Sequence, residues 1–175
     1  MLSIFRKQKI QVQELATEFV DAFLPTVYEG FPEVAAIINE SIEFVQSPKV
    51  DPEDLDRFLL ICLAANTMAV QQCFSSEYDQ AIIRNVLENV ALKGGVTYED
   101  LHRAVHSSEK FIAKVNHPSK NILYGMSKAI FYKYNLSQFQ VEYFRKLNSP
   151  NPIFLKRLDD ALECFLWNWE DHSNN

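Results

Sequence analysis

The chain has 175 residues, 47% of them apolar and 13% aromatic, and a formal net charge of −6 at pH 7. This is the size of one domain with ample material for a packed core, which excludes a disordered chain. Four glycines are too few for the tight turns of a sheet-rich fold, so the composition already leans toward helices.

Chemistry in bulk excludes more. Cys62 and Cys73 fall on one helical stretch and stand roughly 16 Å apart along its axis, whereas a disulfide needs Cα atoms within about 7 Å. With Cys164 they make three isolated thiols beside apolar neighbours and no CxxC pair. That pattern fits core packing in a reducing, cytoplasmic setting. The longest apolar stretch, residues 58–70, is interrupted by Asn66 and Thr67 and falls short of the roughly 20 residues that cross a bilayer. Residues 1–9 join Leu2, Ile4 and Phe5 to Arg6, Lys7 and Lys9. A single short basic–apolar end holds a membrane surface only weakly, and fraying is expected at 1–9 and 171–175.

Helical periodicity recurs along the chain. Leu15, Phe19 and Phe23 define a first helix, which Pro25 should end or kink. A short helix follows over about 33–42, with Pro32 suited to its first turn. Asp51-Pro52-Glu53-Asp54 reads as a helix start and opens the central apolar helix, about 52–74. The next helix begins near Ser76, carries Ile82, Ile83, Val86, Leu87 and Val90 on one stripe, and stops at Gly94-Gly95. Thr97 caps a helix over about 98–115, and Ser119 begins another to about Tyr134. Ser137-x-x-Gln140 has the form of a capping box for a shorter one. Pro152 launches the last helix, where Leu155, Leu158, Leu162, Phe165 and Trp169 recur at spacings of three and four. The expectation is an all-α, single-domain irregular bundle of seven or eight helices over 1–175.

Charge divides the chain into blocks. Residues 13–100 hold four basic and sixteen acidic groups, whereas 110–157 hold nine basic groups and one acid, Glu142. Either the blocks lie against each other in the fold, or the basic one faces an anionic or acidic partner. Within it Lys120, Tyr124, Lys128 and Tyr132 recur every four residues and share one helical stripe. Cations interleaved with rings are what single-stranded nucleic acid uses; the plainer reading is lysine stems lying over tyrosines at a solvated edge.

Glu99, His102, His106 and Glu109 form the best metal-like set, because helical spacing puts all four on one face and histidines at i and i+4 can share a metal. Leu101, Val105 and Ile112 mark the buried side, so the plainer reading is a polar, solvent-facing stripe. Asn66 lies among apolar neighbours, where a buried amide must be satisfied by backbone, water or a ligand. On a continuous last helix Trp167 points away from Trp169, so Trp169 should be buried and Trp167 should offer an edge for a partner.

No nucleophile–base–acid set, phosphate loop or HExxH motif is present, no cofactor is implied, and the balance leans away from an enzyme. The leading expectation is a non-catalytic protein-interaction or regulatory module, with another protein as partner and homo-oligomers left open. The second is a binder of an anionic ligand or nucleic acid through 110–157. The third is a helical enzyme or metal protein using the His102–His106 face.

Overall fold

The computed structural model describes the backbone of residues 2–173 and the side chains of residues 11–173. Expectations placed on residue 1, on residues 174 and 175, and on the side chains of the basic–apolar end lie outside the described residues. The chain is 77% helical, with eight α-helices and no strand among the described residues. They are α1 Leu2–Asn39, α2 Asp56–Cys73, α3 Ser76–Gly94, α4 Tyr98–Asn116, α5 Ile122–Lys133, α6 Glu142–Leu147, α7 Pro152–Leu162 and α8 Glu170–Ser173. Two 3-10 turns, Leu136–Phe139 and Glu163–Phe165, complete the order. No helix among the described residues is long and apolar enough to cross a membrane.

The core is organised around α2, which packs on α1, α3, α4 and α5. Its residues from Ile61 to Thr67 are buried without interruption, so every face of the helix meets another element. This is the environment that an all-round apolar helix requires. The start of α4 and the end of α3 follow their sequence signals. Thr97 accepts from the Asp100 N–H at 3.1 Å, and Gly95 takes the left-handed conformation, φ 65°, that closes α3.

Elsewhere the chain departs from its local signals. A single helix, α1, replaces the two expected on either side of Pro25 and Pro32. Each proline removes one N–H from the ladder, but the two lie seven residues apart, hence on one face, and both are exposed. Carbonyls freed on that side meet water. The opposite stripe, Ala16, Phe19, Val20, Phe23, Val27, Phe31, Val34 and Ile38, is buried throughout and keeps the helix continuous through both positions. At Gly30 a methyl group would sit 2.6 Å from the Phe165 ring, so α1 approaches the C-terminal segment closely.

The start of α2 is also later than expected. Asp51 caps a turn instead: its carboxylate accepts from the Glu53 N–H at 2.9 Å and its carbonyl from the Asp54 N–H at 3.1 Å. Similarly, Asn121 rather than Ser119 caps α5, accepting from the Tyr124 N–H at 3.1 Å. Ser137 falls inside a 3-10 turn and caps no helix.

The last expected helix breaks at Leu162, and the cause is a buried amide. In a continuous helix the Trp167 N–H would bond the Glu163 carbonyl, and the Phe165 carbonyl would accept from Trp169. Asn66 takes both groups instead. Its Oδ1 accepts from the Trp167 N–H at 2.9 Å, and its Nδ2 donates to the Phe165 carbonyl at 2.8 Å. Leu166 then turns extended, and Trp169 enters the core by this route, 2% exposed.

Candidate functional site

The basic stripe is only partly assembled. Lys120 lies in the turn before α5 and is exposed, leaving Tyr124, Lys128 and Tyr132 on the helix. The Lys128 ammonium sits 4.4 Å from the centre of the Tyr124 ring. Tyr132 meets Phe131 edge-on at 5.1 Å, and its hydroxyl donates to the Asn148 carbonyl at 3.1 Å; burial pushes that hydroxyl above its ordinary pKa. The tyrosines thus have intramolecular partners, where base stacking would need free ring faces. The acidic and basic blocks are joined by one cross-block ion pair among the described residues, Arg157 to Glu43 at 2.7 Å. Lys146 pairs with Glu142 inside its own block, and Lys156 with Asp160 in the acidic tail.

That cross-block pair marks a corner which local periodicity did not disclose. Gln140 is fully buried there. Its Nε2 donates to the Ser149 carbonyl at 2.9 Å, and its Oε1 accepts from the Asn151 N–H at 2.6 Å. Its backbone bridges antiparallel to Phe44, and the Val45 N–H donates to the Phe139 carbonyl at 2.8 Å. Through its side chain and its backbone together, Gln140 gathers the loop after α1, the turn before α6 and the start of α7. Beneath it Phe44 packs on Phe154 with ring centres 4.7 Å apart. Ser41 and Arg157 hold Glu43, whose side chain is only 7% exposed. Burial alone would raise that carboxyl, but the hydrogen bond from Ser41 and the Arg157 guanidinium outweigh it and keep it below its ordinary value.

Outside this scaffold the corner is apolar. Ile42 (86% exposed), Val45, Val141, Tyr143, Leu147 and Ile153 (66% exposed) all carry their side chains into solvent. They are six of the nine large apolar side chains exposed among the described residues. Helix α6 buries none of its residues, although Tyr143 and Leu147 stand one turn apart on a common face. Segment 139–157 also carries four basic groups and one acid, and Arg145 has no ion-pair partner among the described residues.

The histidine face has a different surrounding from the one its periodicity suggests. His102 and His106 are exposed, but they line a cleft of about 350 Å³ between α2, α3 and α4, together with Gln71, Gln80, Arg84 and Glu109. Tyr98, His102 and His106 stack as a ladder, with ring centres 5.5 and 6.3 Å apart. His106 Nδ1 lies 3.2 Å from Glu109 Oε2, and Glu109 Oε1 accepts from the buried Thr67 hydroxyl at 2.7 Å. Glu99 is exposed and does not line the cleft, so the four-residue set is not brought together. No cluster of three or more His, Cys, Asp or Glu with metal-holding geometry occurs among the described residues. Thr67 is the member that sequence reasoning missed; its one signal was a hydroxyl inside an apolar run.

Asn66 is satisfied internally, so nothing in it is left to orient a ligand. Besides the two bonds that break the last helix, Nδ2 donates to the Cys62 carbonyl at 2.9 Å and Oδ1 accepts from the Trp169 indole at 3.2 Å. Trp167 is half-buried rather than projecting. It meets Phe19 edge-on at 5.7 Å and stacks on His172 at 5.8 Å, because the chain there is extended and not helical. Of the cysteines, Cys62 is buried, with its thiol pushed well up by burial, whereas Cys164 is exposed and so is not a core thiol.

Set beside known proteins, the chain matches no family model, no curated protein and no solved structure. The class its structure defines is an all-α helical bundle.

Proposed function

We propose that the protein is a non-catalytic interaction module whose contact surface is the corner gathered by Gln140, and that its partner is an acidic protein segment with apolar anchors. The concentration of six exposed apolar side chains in one corner carries this reading. Scattered apolar residues are ordinary on a protein surface, but a contiguous cluster rimmed by charge is the usual form of a binding patch. Helix α6 supports it from another side: a helix that buries nothing adds no core, yet this one keeps Tyr143, Phe144 and Leu147. Charge selects the partner. Of the four basic groups in 139–157, three are held in ion pairs and Arg145 has no ion-pair partner among the described residues; an acidic segment is steered to it and a basic one repelled.

The test is fluorescence anisotropy of a labelled amphipathic peptide with Leu and Phe on one face and Glu and Asp on the other. The protein should bind it at low salt, more weakly as salt rises, and Tyr143→Ser/Leu147→Ser should abolish binding while circular dichroism stays unchanged. Equal binding by that variant, or equal binding of a lysine-faced version of the peptide, overturns the proposal. Sedimentation showing a dimer that the same variant dissociates would give the surface to a second copy and would overturn the assigned partner.

A further inference from the structure

We propose that His102 and His106 together hold one divalent transition-metal ion of the imidazole-preferring class, such as zinc, at the mouth of the cleft between α2, α3 and α4, with Glu109 and Thr67 as positioning residues.

The argument begins with the ring nitrogens of His106. A carboxylate can only accept, so the contact of His106 Nδ1 with Glu109 Oε2 at 3.2 Å makes Nδ1 the N–H and leaves the lone pair on Nε2. An imidazole held by a carboxylate through its far nitrogen is the arrangement that orients metal-binding histidines and raises their basicity. Glu109 is in turn positioned: its side chain is 17% exposed, and its other oxygen lies 2.7 Å from the hydroxyl of Thr67, a buried residue of the central helix whose single proton is shared between that oxygen and the Ala64 carbonyl at 2.8 Å. Each carboxylate oxygen thus faces a partner within the protein, and Glu109 serves as the support of a ligand. This supporting shell crosses from α4 to α2, which a lone exposed helix could not supply.

His102 stands one turn earlier on α4, its ring nearly parallel to that of His106, at 11°, with centres 6.3 Å apart. Two imidazoles sharing a zinc at about 2.0–2.1 Å and a tetrahedral angle have centres about 5.2 Å apart. The rings therefore need to close by about 1 Å and to turn out of their parallel stack so that the two in-plane lone pairs converge, which rotation of exposed side chains allows. Tyr98 stacks on the outer face of His102 at 5.5 Å and limits how far that ring can swing away. Two protein nitrogens leave the remaining positions to water, for which the cleft has room, and Gln71 and Gln80 are among its polar lining. Arg84, which lines the cleft, is paired with Glu88 at 2.8 Å. The site is open, and its coordination is completed from solvent.

The probe is zinc itself, titrated calorimetrically into the full chain after removal of metal by chelation. One ion per chain should bind. His106→Gln and His102→Gln should each abolish that event, and Glu109→Gln should weaken it by about 10–100-fold. His117→Gln, a histidine outside the cleft, should leave it unchanged. The histidines are exposed, so the three histidine variants should retain the wild-type circular dichroism and melting temperature; that separates loss of binding from loss of fold. No zinc uptake by the wild type, or uptake that survives both His102→Gln and His106→Gln, overturns the proposal.

Discussion

Two buried amides, Asn66 and Gln140, do the same local work with opposite consequences. Each sits among apolar residues and draws irregular backbone onto itself. Asn66 takes the Trp167 N–H, the Trp169 indole and the Phe165 carbonyl, and in doing so folds Trp169 into the core. Gln140 takes the Ser149 carbonyl and the Asn151 N–H, and the segments it gathers turn Ile42, Tyr143, Leu147 and Ile153 outward. The first amide seals the molecule; the second presents a surface. A satisfied buried amide thus specifies where irregular chain goes, while the side chains around it decide whether that place is core or contact.

The comparison breaks most readily at the sealing end. Trp169→Ala should cost about 3–5 kcal/mol as a core cavity. Asn66→Ala should cost about 3 kcal/mol or more, because three buried groups lose their partner at about 1–3 kcal/mol each. Trp167→Ala should cost clearly less than either, since the ring is half-buried. Urea denaturation at one pH ranks all three, and equal losses at Trp167 and Trp169 would mean that the extended turn does not separate their roles.

At the presenting end the effects are smaller. Gln140→Ala strands one carbonyl and one N–H and should cost about 2 kcal/mol, and it should weaken peptide binding as well, because the corner loses its tie. Smaller again is the acid response of Glu43. Its carboxyl is held below its ordinary value in the folded protein, so its contribution is present above the unfolded value of about 4.3 and is lost as pH falls through the folded one. Denaturation midpoints taken from about pH 6 down to about pH 3 should fall less steeply in Arg157→Met than in the wild type. Smallest of all, Tyr143→Ser/Leu147→Ser should change stability by no more than about 0.5 kcal/mol, since neither side chain is buried. A loss of several kcal/mol there would mean that α6 belongs to the core.

The same contrast explains what could be read in the sequence. Thr97, Gly95 and the apolar run of α2 act through neighbours within a turn or two, and there the local signal and the structure agree. At Pro25 and Pro32 the local signal and the structure differ, because both face water while the far side of α1 is buried. The C-terminal break at Leu162 was invisible because its cause, Asn66, lies about a hundred residues earlier in the chain. His102, His106 and Glu109 could be placed on one face by spacing alone, but the hydroxyl that fixes Glu109 comes from Thr67 on another helix. The corner is hidden for a related reason: Ser137-x-x-Gln140 has the local form of a capping box, and only the meeting of three distant segments reveals Gln140 as their tie.

The central claim is that the Gln140 corner, and not the C-terminal tryptophan segment, is the surface the protein offers. Amide chemical shifts of the nitrogen-15-labelled full chain, followed during titration with the acidic amphipathic peptide, test it residue by residue. The account predicts that the shifted amides concentrate at residues 42–45 and 139–153 and leave 164–169 in place. Shifts concentrated at 164–169, or spread evenly over the molecule, would contradict it.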